Sequence, residues 1–266
     1  MKQLALQQQW VLVTGASAGL GRAVASELAR HHRANLLLVA RRGDLLQQCA
    51  AELTTQFQVG VEVLVADLAN EAEVAQVAAR AKQRGVTAAV LNAGMTKMGG
   101  HEALPFADFK HMLALNVTGT VQLASELVPH FRAQGGDGAL LLVSSIAGLI
   151  PLPYQAAYAA TKAFLISFGA SLGEELAGSN VSVTVFAPGG IDTDLVKGAG
   201  MSVGGPWLAS AKQSAADLVD ALVKRRGLVV PGLAQRLGVW STRLLPQQTV
   251  VAGAGYVFRR LLKLAP

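Results

Sequence analysis

A single cysteine, Cys49, stands among 266 residues. No disulfide can close within the chain and no cysteine-rich zinc site can be built, which fits a reducing compartment. Charge is sparse as well. Only 15% of residues are charged against 52% hydrophobic, a balance that excludes a disordered chain and favours buried strands. No uncharged apolar run approaches the roughly 18 residues that suggest a membrane span. Met1 to Gln9 lack the apolar core of a signal peptide. The expectation is a cytoplasmic protein. The histidines, His31, His32, His101, His111 and His130, show no metal-ligand spacing. They are read as structural, and no metal site is expected. Acid is missing from the end of the chain. From Lys224 onward there are eight basic residues and no Asp or Glu, so all 17 acids precede it. The net charge of +6 therefore belongs to the tail. A nucleic-acid-binding body is not expected.

Short apolar runs alternate with helical patterns. Strands are predicted at 10–14, 36–40, 61–66, 88–91, 139–143, 181–186 and 227–230. Between them, helices are predicted over 19–32, 45–57, 71–84, 106–131, 154–177 and 214–225. Strands this apolar imply a parallel sheet covered on both faces. The fold class is thus α/β, a doubly wound seven-stranded sheet. One domain over 1–232 and a basic helical extension over 233–266 are expected. The segment from Gly189 to Gly205 carries Gly198, Gly200, Gly204 and Gly205, followed by Pro206 and Trp207. It reads as a lid over a ligand beyond strand six, or as a plain surface loop.

Thr14 to Gly21 join the first strand to the first helix. The glycines let backbone turn tightly and approach a pyrophosphate, whose charge meets helix N-terminal amides. Twenty residues past Gly21, NAD-binding folds usually place an acid. Here Arg41 and Arg42 stand there. Guanidiniums pair with a 2′-phosphate that an acid would repel, so NADP(H) is expected over NAD(H). Asp67, after the third strand, reads equally as a partner of the adenine amino group or as a local turn cap.

Tyr158 and Lys162 lie four residues apart, about one helical turn on one face. A nearby ammonium favours the phenolate and would draw the tyrosine pKa toward neutrality. A phenol so tuned suits proton transfer at a carbonyl or hydroxyl carbon.

With these motifs in order, the chain resembles the short-chain dehydrogenase/reductase family, in its single-domain, roughly 250-residue branch. The resemblance covers about residues 9–232. It rests on Thr14-Gly15-x-x-x-Gly19-x-Gly21, Asp67-Leu68, Asn92-Ala93-Gly94, Asn116, Ser144-Ser145, Tyr158-x-x-x-Lys162 and Pro188-Gly189 followed by Thr193. It implies a hydride-transferring oxidoreductase. Tyr158 would be the general acid or base, Lys162 its tuner and ribose contact, and Ser145 the partner of the substrate oxygen. Ser144 would be structural. Asn116 would sit at a helix irregularity and hold a water linking Lys162 to solvent. Gly15, Ser17, Ala18, Gly19, Leu20, Gly21, Arg41, Arg42, Asp67, Leu68, Asn92, Ala93 and Gly94 would line the cofactor groove. Pro188, Gly189, Ile191 and Thr193 would meet the nicotinamide. One departure is Leu91, where the family usually has an asparagine; a sheet hydrogen bond is expected to be lost there.

Met95, Ile146, Tyr154, Gln155, Gly190 and Trp207 are the candidate substrate-pocket residues. In the tail, Leu233, Leu237, Trp240 and Leu244 fall at helical spacing, and Val250, Val251, Ala254, Val257, Phe258, Leu261 and Leu262 form a second set. Arg236, Arg243, Arg259, Arg260 and Lys263 flank them. The tail packs on the domain or a second subunit, or lies on anionic lipid with Trp240 and Phe258 as anchors, favouring a lipophilic substrate. A carbonyl or alcohol substrate and a homodimer or homotetramer are expected. Two other readings stand beside the reductase: a non-catalytic NADP-sensing protein, and an epimerase or dehydratase of the wider family.

Overall fold

A computed structural model describes residues 2–193 and 208–262. Seven strands form one parallel sheet: β1 (Trp10–Thr14), β2 (Asn35–Ala40), β3 (Val61–Val65), β4 (Ala88–Leu91), β5 (Gly138–Val143), β6 (Val181–Phe186) and β9 (Leu228–Val229). Their order is β3-β2-β1-β4-β5-β6-β9, the doubly wound arrangement. A separate two-residue ladder pairs β7 (Ile191–Asp192) with β8 (Ala209–Ser210).

Alternation along the strands divides the core. Val11, Val13, Leu36, Leu38, Val90 and Leu141 pack on one side with α1 (Gly19–His32), α2 (Gly43–Phe57) and α7 (Ala211–Val223). Leu12, Leu37, Val39, Leu91, Leu140 and Leu142 pack on the other, with α3 (Glu71–Gln83) and α5 (Gly119–Ala133). Leu91, the departure from the family pattern, is a core side chain. Asn70 caps α3 by accepting from the Ala72 and Glu73 amides.

The predicted helix over 106–131 is α4 (Phe106–Leu113) and α5, joined by a π turn at Ala114–Thr118. Asn116 lies in that turn, the irregularity expected there. α6 (Ala156–Glu175) begins two residues later than expected, because Tyr154 has φ +65° and leaves the helical region. The tail forms α8 (Leu233–Thr242) and α9 (Gln247–Leu261). Of the segment read as a lid, Gly198, Gly200, Gly204, Gly205, Pro206 and Trp207 lie outside the described residues, as does Lys263.

Candidate active site

Arg41, Asp67, Asn92, Ser145 and Pro188 all follow the carboxyl ends of successive strands. There they border a cleft of about 550 Å³. The glycine turn borders it too. Gly15 has φ +67° and Gly19 φ +55°, the left-handed region that disfavours any Cβ. A Cβ on Gly21 would collide with the Gly15 carbonyl oxygen, so Gly21 lies beneath the turn rather than on the cleft wall. Thr14 locks the turn to the end of β4. Its Oγ1 accepts from the Asn92 and Ala93 amides at 2.9 and 3.0 Å, and Asn92 Nδ2 donates to the Thr14 carbonyl at 2.9 Å. At the N-terminus of α1, Ala18 supplies no side-chain cap. The first amides of α1 are thus free for an anion, and the bare backbone fits a pyrophosphate.

Arg42 folds onto this turn, donating from Nε and Nη2 to Ser17 Oγ at 3.2 and 3.1 Å. Arg41 Nη1 lies 3.8 Å from Asp67 Oδ2 and 3.4 Å from His111 Nε2. Asp67 Oδ1 accepts from the Ala69 amide, so this carboxylate caps its own turn and faces Arg41. His111, read as structural, stands beside the arginine.

Across the cleft lie Ser145, Tyr158 and Lys162. Lys162 Nζ donates to the Val143 carbonyl at 2.8 Å, with its ammonium 5.8 Å from the centre of the Tyr158 ring. Ser144 Oγ donates to the Lys162 carbonyl at 2.8 Å, a bond that fixes α6 against the end of β5. Ser145 Oγ accepts from the Ala147 amide at 3.1 Å and donates to the Pro188 carbonyl at 3.4 Å. The tuning expected of Lys162 is opposed by burial of the ring itself. Burial pushes the phenol up to about 12, and the Ser145 hydroxyl pulls in the opposite direction. Burial also lowers the Lys162 ammonium to about 8. Desolvation is the first cause of both shifts.

Asn116 is fully buried and does not reach the cleft wall. Its Oδ1 accepts from the Met95 amide, and its Nδ2 donates to the Met95 carbonyl and to Thr161 Oγ1. It therefore clamps the β4 loop to α6. Gly94 lies alongside, where an added Cβ would sit 3.2 Å from that oxygen and 3.5 Å from Lys162 Nζ.

Ala18, Leu20, Leu68, Ala93, Gly94, Pro188, Gly189, Ile191 and Thr193 also line the cleft. Of the pocket candidates, Met95, Ile146, Gln155 and Gly190 line it. Tyr154 does not; its carbonyl accepts from the Gly99 amide instead. Trp207 lies outside the described residues. Two tail residues were missed. Gln235 of α8 accepts at Oε1 from the Gly189 amide at 3.2 Å. Phe258 of α9, expected as a lipid anchor, turns into the cleft wall. Helical periodicity grouped Phe258 with its apolar neighbours and carried no sign of which ones face the body.

A family model described as short chain dehydrogenase matches residues 9–202. The chain belongs to the short-chain dehydrogenase family. Among its relatives is the 2,3-dihydro-2,3-dihydroxybenzoate dehydrogenase of Escherichia coli (strain K12), 36% identical over 187 residues, 70% of each chain. Another is an 11-beta-hydroxysteroid dehydrogenase of Pinus massoniana, 33% identical over 205 residues. That match covers 74% of this dehydrogenase but only 55% of the pine protein. A short-chain dehydrogenase from Sphingobium yanoikuyae, solved in complex with NADPH, superposes with a TM-score of 0.80 at 31% identity. It covers 89% of this dehydrogenase and 93% of its own chain.

Proposed function

We propose that this dehydrogenase is an NADP(H)-dependent oxidoreductase that interconverts a lipophilic carbonyl compound and its secondary alcohol. The observation that carries the reading is that Ser145, Tyr158 and Lys162 share one cleft with the glycine turn. The nicotinamide, when bound, supplies or accepts the hydride. Gly15 to Leu20 would offer backbone amides to its pyrophosphate, and Arg41 and Arg42 would pair with a 2′-phosphate. Asn92, Ala93, Gly94, Pro188, Gly189, Ile191 and Thr193 complete its groove.

In reduction, Tyr158 gives its phenolic proton to the substrate oxygen as the carbonyl carbon gains hydride. Ser145 donates a hydrogen bond to the same oxygen, where negative charge develops. A phenol held near 12 keeps its proton throughout the neutral range, which suits an acid. In oxidation that proton must first leave, and Lys162 beside the ring is the group that favours its loss. Met95, Met98, Ile146, Leu152, Leu208 and Phe258 make most of the remaining wall apolar, with Thr96 and Gln155 among them, which supports a lipophilic substrate.

The decisive experiment follows NADPH absorbance over a panel of carbonyl compounds. Turnover is expected on at least one lipophilic ketone or aldehyde. Tyr158→Phe is expected to lose about a hundredfold or more in kcat while still binding NADPH. Tight NADPH binding without turnover on any carbonyl would return the protein to the sensing class. Arg42→Ala is expected to raise the KM for NADPH about tenfold and leave that for NADH unchanged.

The outward face of α6 supports a homodimer or homotetramer. Ala156, Ala160, Ala163, Phe164, Ser167 and Ala170 are exposed there with no charge among them. A helix apolar on every side needs a partner. In this reading residues 1–232 are the nucleotide-binding domain and 233–266 an appended element.

A further inference from the structure

The tail helices leave their apolar residues uncovered. α8 buries only Val239, and α9 buries only Gly255. Leu233, Leu237 and Trp240 line one side of α8, and with Leu244 just beyond its end they are exposed by 57% to 68%. On α9, Tyr256, Val257 and Leu261 are each more than half exposed. Helices of this length are marginal in water by themselves, so such faces call for a cover.

Charge decides which cover. Arg236 and Arg243 flank the α8 stripe, and Arg259 and Arg260 close α9. No acid stands anywhere from Lys224 to the end of the chain. A second copy meeting this face about a two-fold axis would set arginine against arginine with no carboxylate between them. An anionic bilayer offers an acyl surface for the leucines and phosphates for the arginines. Trp240 and Tyr256 are side-chain types that settle at headgroup level. Among the described residues no helix is long and apolar enough to cross a membrane, so the contact is one of lying on the surface.

We propose that the exposed face of α8 and α9 docks in the headgroup region of an anionic bilayer. The site of docking is coupled to the cleft by α9 itself. On its other side Gly255 packs against Pro153 and Phe258 forms cleft wall. One helix, about 10–12 Å across, separates lipid from substrate pocket. Resting on the oxidoreductase reading, this arrangement lets a lipophilic carbonyl compound pass from bilayer to pocket with little exposure to water.

Cosedimentation of the full chain with vesicles tests docking without reference to turnover. Binding is expected to vesicles of phosphatidylcholine mixed with phosphatidylglycerol. It should be about tenfold or more weaker for phosphatidylcholine alone, and should fall in molar salt. Trp240→Glu combined with Leu244→Glu is expected to abolish binding while leaving the circular dichroism spectrum and turnover of a water-soluble carbonyl unchanged. Absence of wild-type binding to anionic vesicles would overturn the proposal. So would equal binding by the double variant. Conversion of an oligomer to monomers by the double variant, with no vesicle binding by either protein, would assign the face to a second copy. An enzyme that binds vesicles yet reduces no carbonyl would keep the docking and lose the proposed chemistry.

Discussion

Lys162 and Tyr158 titrate in opposite senses, and the signs follow from burial. Lys162 falls to about 8 in the folded protein from an ordinary 10.5. Across that interval the unfolded chain holds a proton that the folded chain has released. Stability therefore rises with pH over this window. Tyr158 rises to about 12 from 10, so between those values the folded chain keeps a proton that the unfolded chain loses. Stability falls there as pH rises. Urea unfolding of wild type and Lys162→Met from pH 7 to pH 10 is expected to show the wild type gaining on the variant, by on the order of 3 kcal/mol. A difference independent of pH would mean that Lys162 is solvated. The Tyr158 and Lys162 pair was readable from its spacing. The direction of the tyrosine shift was not, because a spacing of four says nothing of how deeply the ring is buried.

Strands were the most legible elements. β1, β4 and β6 have the bounds expected from their apolar runs, since continuous burial leaves little choice of residue. The two-residue ladder β7–β8 was invisible, because two residues carry no period. The start of α6 was misplaced for a backbone reason, the left-handed Tyr154. The tail was legible as helix but not in its orientation. Phe258 and Val257 are adjacent in sequence, yet Phe258 lines the cleft and Val257 is half exposed. α9 thus contributes a wall to the pocket, and its removal acts on binding before chemistry. Phe258→Ala is expected to raise KM several-fold for bulky carbonyls, roughly the loss of one buried aromatic contact, with kcat on small ones nearly unchanged. Equal kcat loss on both classes would place Phe258 in the folding of the site instead.

The molecule puts its chemistry and its fastening at opposite edges of the sheet. The cleft borders the carboxyl ends of the strands. At the other end Arg225, with its side chain only 2% exposed, ties together the starts of β5 and β6. It donates to Ser182 Oγ, Asp137 and the Gly138 and Asn180 carbonyls. Arg225→Met removes all four of these hydrogen bonds, leaving the Gly138 carbonyl with Ser182 Oγ and the Asn180 carbonyl with the Gly138 amide, and is expected to cost about 3 kcal/mol of stability, read by urea unfolding. Since Arg225 lies at the far edge, kcat and KM should not change at temperatures where the variant stays folded. The ladder at the cleft edge has another consequence. Ile191 pairs with Ala209 and Asp192 with Ser210, so this separate two-residue ladder joins the chain on either side of 193–208. The chain leaving β6 is thus tied to the segment entering α7 by two residue pairs that stand outside the seven-stranded sheet.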